Sequence, residues 1–254
     1  MHQILFTYTL LGREHVIGTY GVCAAVAAAA AYLFAYALSK AAPFKGKFPY
    51  DVILLVIVGG LIGAFIIGLI LSLPIRSADE IMLVSWGGII GGVAAFWLAC
   101  KFWQIPAGAF ADLAAPVYLL GIGIGRIGCL FGGCCFGVHT DSACGITFVD
   151  PAAPASAGLQ PLVPVQIISA AYLITGAAIF AMLYLRKSRT SGSLFCASAL
   201  FYSTGRFIIE FWRDDYRRFL LGFSDGQIFS AVLFVSACAS LIIIRQKQKK
   251  QNAI

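Results

Sequence analysis

The sequence predicts an all-α, polytopic membrane protein with about seven transmembrane helices and a small external head loop. Three observations support this fold class: 60% of the 254 residues are hydrophobic, only 11% are charged, and glycine and phenylalanine are abundant at 27 and 20 residues. Soluble domains carry about a quarter charged residues, so this composition excludes an ordinary soluble domain and a disordered chain. At roughly 20 residues per crossing, the length accommodates about seven spans in one integral membrane domain, residues 1–254.

Seven apolar runs mark the expected helices in chain order. The runs cover Val16–Leu38, Val52–Leu73, Ile81–Ala99, Ala107–Ile124, Val165–Leu185, Leu194–Phe211 and Ile228–Ile244. No basic region precedes the first long run, so it does not resemble a cleaved signal and is expected to be retained. Small residues spaced by four, such as Gly60, Ala64 and Gly68, are expected to let helices pack closely.

Basic residues predict the orientation of these helices. Eleven of the 18 lysines and arginines, including every lysine, fall on one set of loops and in the C-terminal tail. Cytoplasmic loops are enriched in lysine and arginine, so that side is expected to be cytoplasmic, with the N-terminus outside and the C-terminus inside. Topology and anionic lipid therefore account for the net charge of +7, and no nucleic-acid partner is expected.

The longest polar segment, residues 126–164, lies between the fourth and fifth spans and is predicted to form the head loop. Loops of this length in compact proteins commonly serve as functional lids or heads. Arg126 opens the segment, directly after the glycines at 121, 123 and 125. A guanidinium matches phosphate oxygens bidentately, so Arg126 is a candidate phosphate ligand. The alternative is an interfacial arginine that only extends towards water.

Three charged residues share one face of the sixth predicted helix: Arg206, Glu210 and Arg213 stand at i, i+4 and i+7. Arg206 is expected inside the hydrocarbon region, where an ionisable cluster indicates a functional site unless it only ties helices together. Arg126 and Arg206 would bring two positive charges to one lipid phosphate and stabilise charge on a phosphate leaving group. The sequence thus favours an enzyme that acts on membrane phospholipid.

Further spaced motifs follow in order along the chain. They are Ile17 to Gly21, Asp51, Gly63–Ala64, Gly87 to Gly92, Asp112 to Pro116, Gly125 to Gly128, Arg206 to Arg213 and Asp225 to Gln227. Together they resemble the prolipoprotein diacylglyceryl transferases of the bacterial cytoplasmic (inner) membrane. The resemblance implies a seven-span enzyme that moves the diacylglyceryl group of phosphatidylglycerol to the thiol of a lipobox cysteine in a prolipoprotein, releasing glycerol phosphate.

The same resemblance implies roles for single residues. The expected partners are phosphatidylglycerol or another membrane phospholipid and a prolipoprotein or other thiol acceptor, and no cofactor is expected. Arg126, Arg206 and Glu210 match the catalytic residues. The expected substrate-binding residues are Tyr20, Trp86, Gly87, Gly88, Gly137, His139 and Arg213.

Departures from the family pattern leave the activity open at several points. Trp86 stands where the family usually has a histidine, and an indole cannot accept a proton. Thiol activation would then fall to Glu210, His139, Asp141, a water or electrostatic lowering of the thiol pKa. Phe65 and the stretch from Val163 to Gln166 also replace polar residues common in the family. Two other functions therefore remain: a phospholipid-dependent transferase with a non-lipoprotein acceptor, and a non-enzymatic lipid-binding or redox membrane protein.

Four cysteines distinguish the predicted head loop: Cys129, Cys134, Cys135 and Cys144. On an oxidising face of the membrane they are expected to form disulfides. A zinc site built from these cysteines or His139, and a reactive thiol, are the alternatives. The remaining four cysteines lie in apolar runs and are expected to be inert.

Overall fold

The computed structural model describes residues 4–10, 13–41, 50–72, 85–150, 153, 155, 159–186, 190–214, 218–220 and 222–252. Within these ranges the chain forms seven α-helices: α1 Thr19–Ala41, α2 Tyr50–Ser72, α3 Ser85–Phe102, α4 Ala107–Phe131, α5 Val165–Leu185, α6 Ser193–Ile209 and α7 Asp225–Asn252. A 3-10 turn, Glu210–Trp212, continues α6. The described strands form two antiparallel hairpins: β1 Ile4–Leu10 with β2 Arg13–Gly18, and β3 Arg218–Leu220 with β4 Phe223–Ser224.

Six of the described helices are long and apolar enough to cross a membrane, and α3 contains a shorter apolar helix, Gly87–Phe102. The prediction of an all-α polytopic membrane protein is confirmed. The predicted and observed bounds agree at α5, whereas α1 begins at Thr19 rather than Val16. Val16 and Ile17 belong to β2, where β-branched residues favour a strand. The predicted loops that carry Lys45, Lys47, Arg76, Lys187 and Arg189 lie outside the described residues.

Helix α4 is longer than predicted and contains Arg126. It continues to Phe131, and the backbone N–H groups of Gly132 and Gly133 donate to carbonyls of its last turn at 2.9 and 3.3 Å. Gly133 has a φ of +62°, which glycine adopts without steric cost and which commonly ends helices. Gly123 lies inside the helix, where its missing side chain lets α5 pack closely. The head segment therefore begins near Gly132 rather than at residue 126.

Helix α4 forms the centre of the helix bundle. It packs against α1, α5 and α6, and α6 packs in turn against α7. Leu113, Ala115, Pro116 and Leu119 on α4 have almost no exposed surface. Between helices in lipid, such contacts stabilise the fold through van der Waals packing. The central position of α4 brings Arg126 next to three neighbouring helices.

Helices α2 and α3 pack backbone to backbone. A Cβ atom added to Gly63 would overlap the carbonyl oxygen of Gly87, and one added to Gly60 would lie 3.4 Å from the carbonyl oxygen of Gly88. Gly60, from the predicted stripe of small residues, thus faces α3. The closer of these two approaches involves Gly63, which was not part of the predicted set Gly60, Ala64 and Gly68.

Asp112 sets the position of α6 relative to α4. Its buried carboxylate accepts hydrogen bonds from the backbone N–H groups of Gly192 (2.9 Å) and Phe195 (3.0 Å), at the start of α6. The first N–H groups of a helix need such acceptors, and the helix dipole favours negative charge there. Asp112 precedes Arg126 by 14 residues, or about 21 Å along the helix. Asp112 thus fixes α4 relative to α6 at the end of the bundle opposite to Arg126.

The head segment is attached to the chain that leaves α6. Val138 N donates to the carbonyl of Trp212 at 2.9 Å, and Asp214 N donates to that of Phe136 at 3.3 Å. Val163 N, just before α5, donates to the carbonyl of Val138 at 2.9 Å. A small apolar core lies within the segment, formed by Phe148, Ala155 and Leu162. These contacts place the head segment over the same end of the bundle that carries Arg126.

Candidate functional site

The end of α6 carries a buried charge cluster centred on Glu210. Arg206 pairs with Oε2 of Glu210, and Nη1 of Arg213 donates to the same oxygen at 3.3 Å. Ser224, just before α7, donates from Oγ to Oε1 at 2.8 Å. The exposed fractions of the Arg206, Glu210 and Arg213 side chains are 17%, 7% and 8%. The Glu210 carboxylate thus holds two guanidinium groups and one hydroxyl in place.

The start of α7 closes this charge cluster from one side. Ser224 and Gln227 form a capping box, in which Ser224 N donates to Oε1 of Gln227 at 3.0 Å and Gln227 N donates to Oγ of Ser224 at 3.2 Å. Gly226 lies between them, and a Cβ atom added there would lie 2.8 Å from Nη2 of Arg206 and from Cδ and Oε1 of Glu210. The motif Asp225 to Gln227 thus starts a helix and leaves room for the ion pair.

Arg126 and Arg206 line one cleft between α4, α5 and α6. The other lining residues are Ser169, Tyr172, Leu173, Tyr202 and Ile209. Within the described part of the chain, Arg126 forms neither a hydrogen bond nor an ion pair with a protein group. Arg126 is itself only partly exposed. A guanidinium in this position is a ready anion ligand, because burying it without a partner is costly.

Two tyrosines of this cleft were not among the predicted site residues. Tyr172 donates from its hydroxyl to the carbonyl of Phe201 at 2.5 Å and stacks on that ring with centroids 4.1 Å apart. The ring of Tyr172 occupies the space where Gly205 has no side chain. Tyr202 precedes Arg206 by one helical turn, a spacing that could have identified it from the sequence.

Tyr20 lies at the start of α1 against the last turns of α4. A Cβ atom on Gly128 would lie 3.5 Å from Cδ2 of Tyr20 and 2.9 Å from Cβ of Cys23, so Gly128 permits α1 to approach α4. Tyr20 is 49% exposed and interacts electrostatically with Arg126. This places a phenol beside the arginine.

Three of the four cysteines predicted for the head loop converge where α4 ends. The Sγ atoms of Cys129, Cys134 and Cys135, here called the three-cysteine cluster, lie within 4.8 Å of one another. All eight cysteines of the chain are described, and all are free thiols. The expected disulfides are therefore not formed in the structure. Cys144 is exposed and does not belong to the cluster.

The pKa values of the two adjacent cysteines, Cys134 and Cys135, are shifted in opposite directions. Hydrogen bonds from the thiols of Cys129 and Cys134, and the positive charges of Arg213 and Arg126, hold the pKa of the Cys135 thiol far below its usual range. Hydrogen bonding to Cys129 and Cys135, together with burial, raises the pKa of the Cys134 thiol. A thiolate is thus favoured at Cys135, stabilised by its neighbours and by the arginines of the candidate site.

Gly137 and His139 occupy different positions in the head segment. Gly137 pairs with Arg213 in a β-bridge, and a Cβ atom added to it would lie 2.8 Å from Cβ of Val163. Gly137 therefore holds the head against the charge cluster. His139 is 48% exposed and lies on the surface, where its Nδ1 is 3.1 Å from the carbonyl of Pro161 and its Nε2 is 3.2 Å from Oδ1 of Asp141. His139 and Asp141 are not among the residues that line the cleft.

The remaining predicted substrate-binding residues lie at the start of α3. The side chain of Trp86 lies outside the described part of the structure. Gly87 and Gly88 face Gly63, Gly60 and Ala64 of α2, and they are not among the residues lining the arginine cleft. Their positions account for close helix packing.

Comparison with known proteins identifies relatives over most of the chain. The family model for prolipoprotein diacylglyceryl transferase matches residues 9–243. The phosphatidylglycerol–prolipoprotein diacylglyceryl transferase of Clostridium tetani is 32% identical over 219 residues, 83% of this chain and 86% of that protein. A relative of the same name from Dehalococcoides mccartyi is 33% identical over 172 residues, 67% of this chain but only 64% of that protein. The second transferase of that name from Clostridium perfringens is 31% identical over 215 residues, 80% of this chain and 81% of that protein.

Proposed function

The chain belongs to the prolipoprotein diacylglyceryl transferase family, and on that premise we propose that it transfers the diacylglyceryl group of phosphatidylglycerol to the thiol of a lipobox cysteine. Glycerol phosphate is the second product. The observation that carries this proposal is the shared cleft of Arg126 and Arg206. The cleft could present two guanidinium groups to one lipid phosphate, and Arg126 forms no hydrogen bond or ion pair with the described residues.

The charges of the site match the direction of the reaction. Arg126, Arg206 and Arg213 carry three positive charges and Glu210 one negative charge, so the four side chains sum to +2. A phosphodiester carries one negative charge, whereas the glycerol phosphate that leaves approaches two. The arginines therefore stabilise the negative charge that develops on the leaving oxygen more than they stabilise the bound lipid. Such preorganised charge is commonly the largest contribution to catalysis.

Glu210 and Tyr20 act by positioning in this scheme. Glu210 holds Arg206 and Arg213 through its carboxylate and is itself held by Ser224, which supports an orienting role over that of a general base. Tyr20 stands beside Arg126 at the opening of α1 and contributes to placing the lipid headgroup. Gly137, through its bridge to Arg213, closes the site with the head segment. Trp86 cannot accept a proton, so thiol activation is assigned to other groups.

The proposed location is the bacterial cytoplasmic membrane, with the arginine cleft at its outer side. Lys40 at the end of α1 and Lys101 at the end of α3 lie in the last turns of those helices. The end of α7, rich in lysine, lies near the start of α6, because Thr190 donates to Gln248 at 2.6 Å. Basic residues thus collect at the end opposite Arg126, which supports an outside N-terminus by the positive-inside rule.

A direct assay tests the function. Purified protein in lipid-containing detergent micelles is incubated with phosphatidylglycerol labelled in the diacylglyceryl group and a lipobox peptide. Label is expected on the peptide thiol together with released glycerol phosphate. Arg126→Ala and Arg206→Ala are each expected to lower the rate roughly 100- to 1,000-fold, the usual cost of one charge-stabilising group.

Controls make this assay decisive. Arg245→Ala removes an exposed arginine of α7 and is expected to keep the wild-type rate, and a serine-for-cysteine peptide is expected to stay unlabelled. Glycerol phosphate release without peptide labelling would show a different acceptor. Neither product from folded protein in a competent membrane would refute the transferase.

A further inference from the structure

The three-cysteine cluster adjoins the arginine cleft, yet the transfer chemistry described above gives it no role. Cys129 is buried in the last turn of α4, and Cys134 and Cys135 are partly exposed. The three Sγ atoms lie within 4.8 Å of one another and all are free thiols. Their convergence therefore calls for a function of its own.

Backbone contacts hold the cluster in place. Gly133, at a φ of +62°, turns the chain back so that Cys134 N donates to the carbonyl of Cys129 at 3.1 Å. A side chain at Gly133 would overlap Ala153, so this turn has no room for one. Gln166, which is 1% exposed at the start of α5, donates from Nε2 to the carbonyl of Cys134 at 2.9 Å. The thiols are thus brought together by fixed backbone rather than by flexible side chains, which lowers the cost of binding a ligand.

Three convergent thiols are a ligand set for a thiophilic metal ion. Soft thiolates select Zn²⁺ and Cu⁺ over Mg²⁺ and Ca²⁺. Zinc–sulfur bonds of about 2.3 Å in a tetrahedron place two sulfurs about 3.8 Å apart. The Sγ atoms, at no more than 4.8 Å, need to move by at most about 1 Å to reach that geometry. Zinc sites with three protein ligands keep a fourth position for water or substrate.

Nearby positive charge suits such a site. Zn²⁺ bound to three thiolates has a net charge of −1, which is costly to hold near a membrane without compensation. Arg213 and Arg126 both act electrostatically on Cys135, and Arg126 precedes Cys129 by three residues on α4. The guanidinium groups of the cleft therefore offset the charge of the metal complex.

We propose that Cys129, Cys134 and Cys135 bind one Zn²⁺ ion, and that the thiol of the acceptor occupies its fourth coordination position. The second half of this proposal rests on the proposed transferase function. A thiol bound to zinc loses its proton, which supplies the activation that Trp86 cannot provide. The three-cysteine cluster would thereby replace the proton-accepting histidine that the family usually has at the position of Trp86.

The chemical step balances without an oxidant or reductant. The acceptor thiol releases its proton to water on binding the metal. The metal-held sulfur then donates an electron pair to the glyceryl carbon that carries the phosphate oxygen. The carbon–oxygen bond breaks, and its electron pair leaves with glycerol phosphate in the arginine cleft.

Metal binding is tested separately from activity. The full chain in lipid-containing detergent micelles is reduced, stripped of metal and titrated with Co²⁺ as a spectroscopic probe of tetrahedral thiolate sites. Wild-type protein is expected to bind one Co²⁺ per chain with thiolate charge-transfer bands, and Zn²⁺ is expected to displace it. Cys129→Ser, Cys134→Ser and Cys135→Ser are each expected to lose these bands, whereas the matched variants Cys144→Ser and Cys238→Ser keep them.

Several outcomes would overturn the site. If the reduced wild-type protein binds no Co²⁺, the metal site is excluded. This holds even if the thiols form a disulfide in air, because the protein is tested in the reduced state. Unchanged bands in all three ligand variants would also exclude it. X-ray absorption of the zinc-loaded wild type guards against variants that fail to fold, because it is expected to count three sulfur neighbours and one lighter atom without any substitution.

The acceptor role has its own readout. A lipobox peptide is expected to raise the sulfur count at zinc from three to four, and the same peptide with serine in place of cysteine is expected to leave it at three. Bound zinc with no response to the cysteine peptide would overturn the acceptor role. Equal transfer to the peptide with and without metal would also overturn the acceptor role, but it would leave the transferase function standing. Zinc binding without any transfer would refute the transferase function and leave the metal site standing.

Discussion

Replacing Gly226 with alanine tests whether the ion pair at the end of α6 must be accurately placed. The added Cβ would lie 2.8 Å from Nη2 of Arg206 and from Oε1 of Glu210, whereas ordinary contact begins at 3.4 Å. The charged groups or the start of α7 must therefore retreat by at least about 0.6 Å. A displacement of about 1 Å can cost 100-fold in rate. We expect a 10- to 100-fold loss of transfer, which corresponds to about 1.4–2.7 kcal/mol of transition-state stabilisation.

The label-transfer assay measures this loss as kcat and KM for the lipobox peptide. Gly121→Ala is the matched control, because its added Cβ meets only Ala31 at an ordinary 3.7 Å. That variant is expected to stay within about twofold of the wild type, as for other neutral substitutions. A folded Gly226→Ala protein with wild-type kcat would refute the argument that Glu210 acts by positioning Arg206.

Three further substitutions or conditions test other parts of the structure. Asp112→Ala removes the acceptor of two N–H groups at the start of α6. At about 1.5–3 kcal/mol for each charged hydrogen bond, it is expected to lower the free energy of unfolding by about 3 kcal/mol or more. An unchanged unfolding midpoint would contradict this expectation. Gly63→Ala is expected to lower the thermal stability in detergent, because its Cβ would overlap the Gly87 carbonyl; wild-type stability would show that α2 and α3 separate easily. In metal-free protein, the alkylation rate of Cys135 by iodoacetamide is measured by mass spectrometry in the Cys144→Ser background. It is expected to fall less between pH 8 and 6 than the rate of an ordinary thiol, since the pKa of Cys135 is lowered. An ordinary thiol with a pKa of about 8.5 would slow roughly 75-fold over that range, and such a slowing would refute the assignment.

Composition and periodicity were sufficient to predict the helical class and much of the charged site. Val165–Leu185 has the same bounds in sequence and structure, because Pro164 and Arg186 flank a mostly apolar run without charged residues. The spacing of Arg206, Glu210 and Arg213 placed them on one face, and the tightening of α6 into a 3-10 turn at Glu210 keeps them in contact.

Features that depend on long-range contacts could not be predicted in this way. The partner of Glu210 at Ser224 lies beyond the end of α6, and no local pattern connects the two. Ser169 and Tyr172 enter the cleft only because α5 packs beside α4 and α6. Cys129 and Cys134 are five residues apart and come together because Gly133 adopts a positive φ, which the spacing of cysteines does not reveal.

The attachment of the head to α6 imposes an order of assembly on the growing polypeptide. Val138 obtains its hydrogen-bond acceptor from Trp212, which follows it by 74 residues. At translation rates of about 5–20 residues per second, this partner is synthesised about 4–15 s later. During that interval the head segment lacks the hydrogen bond that attaches it to the end of α6, so it can take its final place only after residue 212 has been made.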